Sequence, residues 1–115
     1  MNQIKPQKKA KLEDKETQAA FKLLEQAGLL TQDDIKTAQG VRGKHGGDLV
    51  SILEAAQKLD NQTLEAAKIC NSFEKEGSLK LEQCVILLNY CSRSRVSFDE
   101  AISELNWKNP RNAKR

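Results

Sequence analysis

A chain of 115 residues, 38% apolar and 30% charged, reads as one domain with tails and a modest core. Its apolar content is mostly Leu, Ala and Ile, with only three Phe, one Tyr and one Trp, which favours helix and leaves little for strands. The net charge of +3 is unevenly placed: setting aside eight basic residues in the two ends leaves 11 of the 19 against all 16 acidic ones, so the body is acidic, and a fold built to grip phosphate backbones shows the reverse.

Residues 1–11 carry Lys5, Lys8, Lys9 and Lys11, no acid, and Pro6. They read as a disordered basic arm preceding a helical domain over 12–107. The first helix is expected over Asp14–Ala27, with Ala20, Leu23, Leu24 and Ala27 at helical spacing and Gly28 as its stop. A recurring signal then marks helix starts: an apolar residue precedes the cap, and another sits four beyond it, the hydrophobic staple. Leu30-Thr31 with Ile35 opens a helix over Gln32–Gln39. Asp48, after the breakers Gly46-Gly47, caps one over Leu49–Lys58 with Ile52, Leu53 and Ala56 inward. Leu59-Asp60 with Leu64 opens Asn61–Glu76, and Leu79-Lys80 with Cys84 opens Leu81–Cys91, although Lys80 offers no acceptor. Val96-Ser97 with Ala101, and the capping-box pair Ser97 and Glu100, opens Phe98–Leu105. Trp107 follows as a plug for the core, and 108–115, with Lys108, Arg111, Lys114 and Arg115, reads as a second disordered basic tail.

The pieces form a duplication. Setting Gly28 over Gly77 without gaps places Leu30 over Leu79, Ile35 over Cys84, Asp48 over Ser97, Leu49 over Phe98, Leu53 over Ile102 and Ala56 over Leu105. The expected fold is all-α: a compact bundle of about six helices built from two similar helical-hairpin units, near 28–60 and 77–109.

No transmembrane run exists, since the longest apolar stretch, Cys84-Val85-Ile86-Leu87-Leu88, is far short of the roughly 20 residues a span needs. No apolar segment follows Lys5, so the start does not read as a secretory signal. An odd cysteine count suits a reducing compartment, and a cytoplasmic protein without membrane insertion is expected.

Two basic stretches are candidate ligand sites. In Gly40-Val41-Arg42-Gly43-Lys44-His45-Gly46-Gly47, four glycines free the backbone, and Arg42, Lys44 and His45 could meet an anion with the amides that open the next helix. The alternative is a flexible connector that happens to be basic. Arg93-Ser94-Arg95 occupies the matching place in the second half, Arg93 over Lys44; together these would form a shared anion site, or they are surface charge on turns. Cys70, Cys84 and Cys91 with His45 have no metal-knuckle spacing and read as buried thiols, so neither a metal nor another cofactor is expected. His45 has no partner that suggests a catalytic triad, and Asp33-Asp34 and Asp99-Glu100 sit where they complement helix dipoles. No enzymatic activity is expected.

Leu23-Leu24-Glu25-Gln26-Ala27-Gly28-Leu29-Leu30-Thr31-Gln32-Asp33-Asp34-Ile35-Lys36-Thr37-Ala38, with Gly46-Gly47-Asp48-Leu49-Val50-Ser51-Ile52-Leu53, resembles the helical N-terminal domains of type II secretion and type IV pilus assembly ATPases. The resemblance covers roughly 20–68, and more faintly 77–107. It implies a bacterial interaction or adaptor module that docks an as yet unidentified protein partner, here without a motor, since no GxxxxGK[ST] is present. Some members of that family bind cyclic di-GMP through a repeated Arg-Leu-Gly phrase, which implies a second-messenger receptor as an alternative. Here the first copy is replaced by Gln18-Ala19-Ala20-Phe21, and at the second Lys44 stands where the family has a bidentate Arg. A third reading is salt-sensitive nucleic-acid binding through the basic arms.

Overall fold

The computed structural model describes residues 14–113; the arm expected over 1–11 and the last two residues of the tail lie outside them. Among the described residues are seven helices and no strand: α1 (Lys15–Gln26), α2 (Gln32–His45), α3 (Leu49–Ala55), α4 (Asn61–Glu76), α5 (Leu81–Ser94), α6 (Phe98–Glu104) and α7 (Pro110–Ala113). The chain is an all-α bundle, and none of its described helices is long and apolar enough to cross a membrane.

Local chemistry explains the starts. Asp14, Thr31, Asp48, Asp60 and Ser97 all adopt extended backbone, and each side chain accepts the N–H three residues on, at 2.8–3.2 Å. Asp34 and Glu100 return the favour to Thr31 and Ser97, completing two capping boxes. Lys80 supplies only half of one: Gln83 accepts its backbone N–H at 2.9 Å. The apolar residues before four of the caps are turned inward. Leu30, Leu59 and Leu79 are buried and Val96 packs against the core.

The duplication is stricter than the sequence alignment required, and it involves three helices rather than two. The bounds of α2 and α5, and of α3 and α6, differ by 49 residues at both ends. Every positive-φ residue among those described has its counterpart at that offset except Gly47: Gly28 (80°) with Gly77 (86°), Gly46 (78°) with Arg95 (59°), and Gln57 (62°) with Asn106 (65°). The hydrogen bonds that close the helices repeat too. Lys58 N–H donates to Leu53 at 2.9 Å, and Trp107 N–H donates to Ile102 at 3.0 Å. Unit 1 is therefore α1–α2–α3 and unit 2 is α4–α5–α6, so the hairpin boundaries near 28 and 77 give way to starts at the helix that precedes each glycine.

Two helices are longer than expected. α2 does not end at Gln39 but runs through Gly40 and Gly43 to His45, and α5 runs past Cys91 to Ser94. α3 and α6 are shorter than the expected spans, ending at Ala55 and Glu104. The tail expected to be disordered over 108–115 is ordered in part: Asn109 caps α7 by accepting the Arg111 N–H at 2.9 Å, and Asn109 and Arg111 both reach Asp99, at 3.0 and 3.4 Å. Pro110 sits at the first helical position, where a missing N–H costs nothing. In the repeat register α7 begins where α4 begins, with Asn109 in the place of Asp60.

The core joins α1, α4, α5 and α6, which pack on one another across the two units, while α2 packs on α3. Leu24, Leu87, Leu88, Phe98, Ala101 and Ile102 are essentially inaccessible. Phe98 stacks on Phe73 with ring centroids 6.2 Å apart. Asn89 ties α5 to the end of α1 by donating to the Ala27 carbonyl at 3.0 Å, and the Tyr90 hydroxyl bonds the Glu104 carboxylate across α5 and α6. Cys70, Cys84 and Cys91 are free and buried. The Cys84 thiol donates to the Cys70 carbonyl at 3.6 Å. The hydrogen-bonded contact with Cys84 and burial push the Cys70 thiol up, and burial with the Asp60 charge pushes Cys91 up to about 11. These two thiols stay protonated at neutral pH and pack as small apolar groups.

Candidate functional site

Two units with one backbone plan make each position in one a control for the other. In unit 2 the seam between α4 and α5 is closed: Ala67, Cys70, Cys84, Leu88, Cys91 and Phe98 are all buried. Their counterparts in unit 1 are Gln18, Phe21, Ile35, Gln39, Arg42 and Leu49, and these line an open groove of about 390 Å³ between α1 and α2. The cause is side-chain length and polarity. A small thiol at Cys91 lets its helix settle on α4, whereas the guanidinium of Arg42 must keep its head near water and holds the helices apart. Gln39 in place of Leu88 removes a core contact outright. The groove keeps an apolar floor, Phe21 and Leu49 being buried and Ile35 half-buried. Glu25 and Lys22 stand on its α1 wall, with Glu25 accepting from the Gln32 amide at 2.8 Å.

The other flank of α2 is open as well. A pocket of about 270 Å³ lies between α2 and α3, with Ala38, Val41, Ile52, Leu53 and Ala56 as its apolar lining and Asp33, Asp34 and Lys58 at its rim. Lys58 reaches Asp34 at 3.6 Å. The N–H of Thr31, donated to its carboxylate, holds Asp34 below the usual carboxylate range, with Lys58 adding to the effect. With both flanks open, Ala38 is the one buried residue of α2. Gly40 and Gly43 cost this helix roughly 1 kcal/mol each relative to alanine, and a Cβ at either would meet nothing within 4 Å. Neither glycine is required by packing, and α2 packs chiefly on α3 rather than on the core helices.

The residues named from the sequence fall differently from the expected shared loop. Arg42, Lys44 and His45 lie in the last turn of α2, not in a flexible connector, and there they complement the helix C-terminus. Arg93 is likewise inside α5. Arg95 caps α5 in left-handed backbone, whereas Gly46 at the end of α2 shares its positive φ but has an extended ψ of -168°. The structure does not gather these groups into one cradle: Arg42 lines the α1–α2 groove, while Arg95 lines a different groove of about 440 Å³, also bordered by Gln57, Lys58 and Asp60. Gly46 and Gly47 are exposed and lead into Asp48, whose carboxylate takes the Ser51 N–H at 2.9 Å and the Ser51 hydroxyl at 3.1 Å. The opening of α3 already holds a negative charge of its own, which opposes an anion there.

The Arg95 groove mixes charges whose work is structural. Asp60 caps α4 through Thr63 N and Oγ1, at 2.8 and 2.9 Å, and Lys58 answers Asp34. No group of three or more His, Cys, Asp or Glu side chains among the described residues is arranged to hold a metal. Comparisons with protein-family models, with curated proteins and with solved structures find no match for this chain.

Proposed function

We propose that this protein is a non-enzymatic interaction module, of the kind its likeness to secretion-ATPase N-terminal domains implies, in which unit 2 is the scaffold and unit 1 takes the partner. The observation that carries this reading is the groove between α1 and α2, open where the duplicate helices α4 and α5 are sealed. Core positions are kept apolar because burying a polar group costs free energy. A unit that has replaced them with Gln18, Gln39 and Arg42 around an apolar floor has the composition of a protein-binding surface, with a hydrophobic centre and a polar rim. The acidic body favours a basic partner.

The test uses the full chain immobilised in an extract of its own cells, beside a Gln39→Tyr variant. Gln39 is exposed and lines the groove, so a tyrosine there occupies the space while circular dichroism verifies the fold. Proteins retained by the natural chain and lost from the variant support the reading. A retained set that is the same for both overturns it. Calorimetric titration with cyclic di-GMP addresses the alternative: saturable heat at micromolar ligand would replace docking with second-messenger reception through Arg42, Lys44, Arg93 or Arg95.

A further inference from the structure

We propose that the pocket between α2 and α3 is a socket for one aromatic side chain of a protein partner, borne on a segment with Lys or Arg beside it. The inference rests on the docking reading of unit 1 and specifies what one part of that face recognises.

The duplication supplies the argument. Four residues lining the pocket are smaller or more polar than counterparts in unit 2 that pack in or against the core. Ala38 stands for Leu87, Val41 for Tyr90, Ala56 for Leu105, and Lys58 for Trp107. In unit 2 Leu87 is fully buried, and Tyr90, Leu105 and Trp107 pack against the core. Ile52 for Ala101 runs the other way, but by three carbons only, far less than the bulk the other four exchanges remove. α3 and α6 close alike, since Lys58 and Trp107 make equivalent hydrogen bonds, to Leu53 and Ile102, while the turns that lead into these helices differ at Gly46-Gly47. Unit 1 thus lacks, around this pocket, the bulk and the two aromatic residues that unit 2 carries at the equivalent positions.

Size and charge define the occupant. The volume of about 270 Å³ falls just below the roughly 300–1,000 Å³ of pockets that enclose whole drug-sized ligands. It suits one large side chain rather than a dinucleotide. Its lining is apolar, and aromatic side chains carry the most contact area for few rotatable bonds. Asp33 and Asp34 sit on the rim beside a single lysine, so the rim is net negative and selects a cation next to the inserted ring. Val41 is 38% exposed, so the mouth is reachable from solvent.

The experiment is an amide-resolved NMR titration of the full chain. The probes are N-acetyl-tryptophanamide and two short tryptophan peptides, one flanked by lysines and one by glutamates. Saturable shifts confined to residues 33–41 and 52–58 are expected. The lysine peptide should bind about tenfold more tightly than the glutamate peptide at low ionic strength. A Val41→Tyr/Ala56→Leu double variant, which installs the unit 2 residues, should lose at least about tenfold in affinity while its melting temperature holds or rises. Absence of shifts up to about 10 mM probe, shifts that map elsewhere, or unchanged affinity in the filled variant would each overturn the socket. Equal affinity of the two peptides would overturn its charge selection. Partners still lost on Gln39→Tyr with no shifts here would remove the socket alone and leave the α1–α2 docking reading in place.

Discussion

Phe98→Ala is expected to destabilise the fold by about 3–5 kcal/mol. The ring is 2% exposed, opens α6 directly after the Ser97 cap, and stacks on Phe73 of α4. Its removal takes away a large transfer term and leaves a cavity where α4, α5 and α6 meet. The buried side chains of α4 and α5, on which α6 packs, have no solvent-side slack with which to collapse. Domains of this size have a total stability of about 5–15 kcal/mol, so the variant should be marginal at 25 °C. Urea unfolding followed by ellipticity at 222 nm measures the effect. A loss under about 1 kcal/mol would show that unit 2 is not the packed scaffold described here.

The second large effect comes from exchanging one residue between units. Leu88→Gln, which writes the unit 1 residue into unit 2, should cost about 3–5 kcal/mol. Leu88 is fully inaccessible, so the substitution loses apolar burial and places an amide where its donors and acceptor have no water. The reverse exchange, Gln39→Leu, should alter stability by no more than about 0.5 kcal/mol, because Gln39 is exposed on the groove wall. Two substitutions at one repeat position thus have very unequal costs. Equal costs would mean that the two seams are packed alike and that the groove is not a real difference between the units.

Much of the fold was legible because its signals are local. Caps at Thr31, Asp48, Asp60 and Ser97 involve contacts three residues apart, and the staples only four or five. The offset of 49 residues also appeared in the sequence, because Gly28 and Gly77 end equivalent helices and shared left-handed backbone favours glycine there. The same habit misled at Gly40 and Gly43. Two glycines in four residues read as a connector, yet Ala38 packs toward α3, the basic last turn suits the helix dipole, and Gly46 closes the helix by donating to the Arg42 carbonyl at 2.8 Å. Tertiary context outweighed propensity. Arg95 shows the converse, since a left-handed cap without glycine gave no sign that α5 would run on to Ser94.

The open face of unit 1 was not legible in the same way. Its groove and pocket depend on which side chains meet across a seam, and neither helical periodicity nor capping reports that. Basic residues drew attention to Arg42, Lys44, His45, Arg93 and Arg95, but the structure distributes them over helix ends and separate grooves. A usable signal was present in the aligned units themselves. Gln39 under Leu88, Arg42 under Cys91, Ala38 under Leu87 and Lys58 under Trp107 replace core-forming side chains with polar or smaller ones in unit 1, against apolar gains there at Phe21, Ile35 and Ile52. In a duplicated fold, such replacements point to the copy released from structural duty.

Hydrogen exchange of the free, full-length chain tests this division most directly. If unit 2 is scaffold and unit 1 is the adaptable face, the central amides of α5 exchange only through global unfolding. Those of α2 from Gln39 to His45 should exchange through local opening, at least roughly a hundredfold faster after correction for intrinsic rates. Matching protection in the two helices would contradict the account.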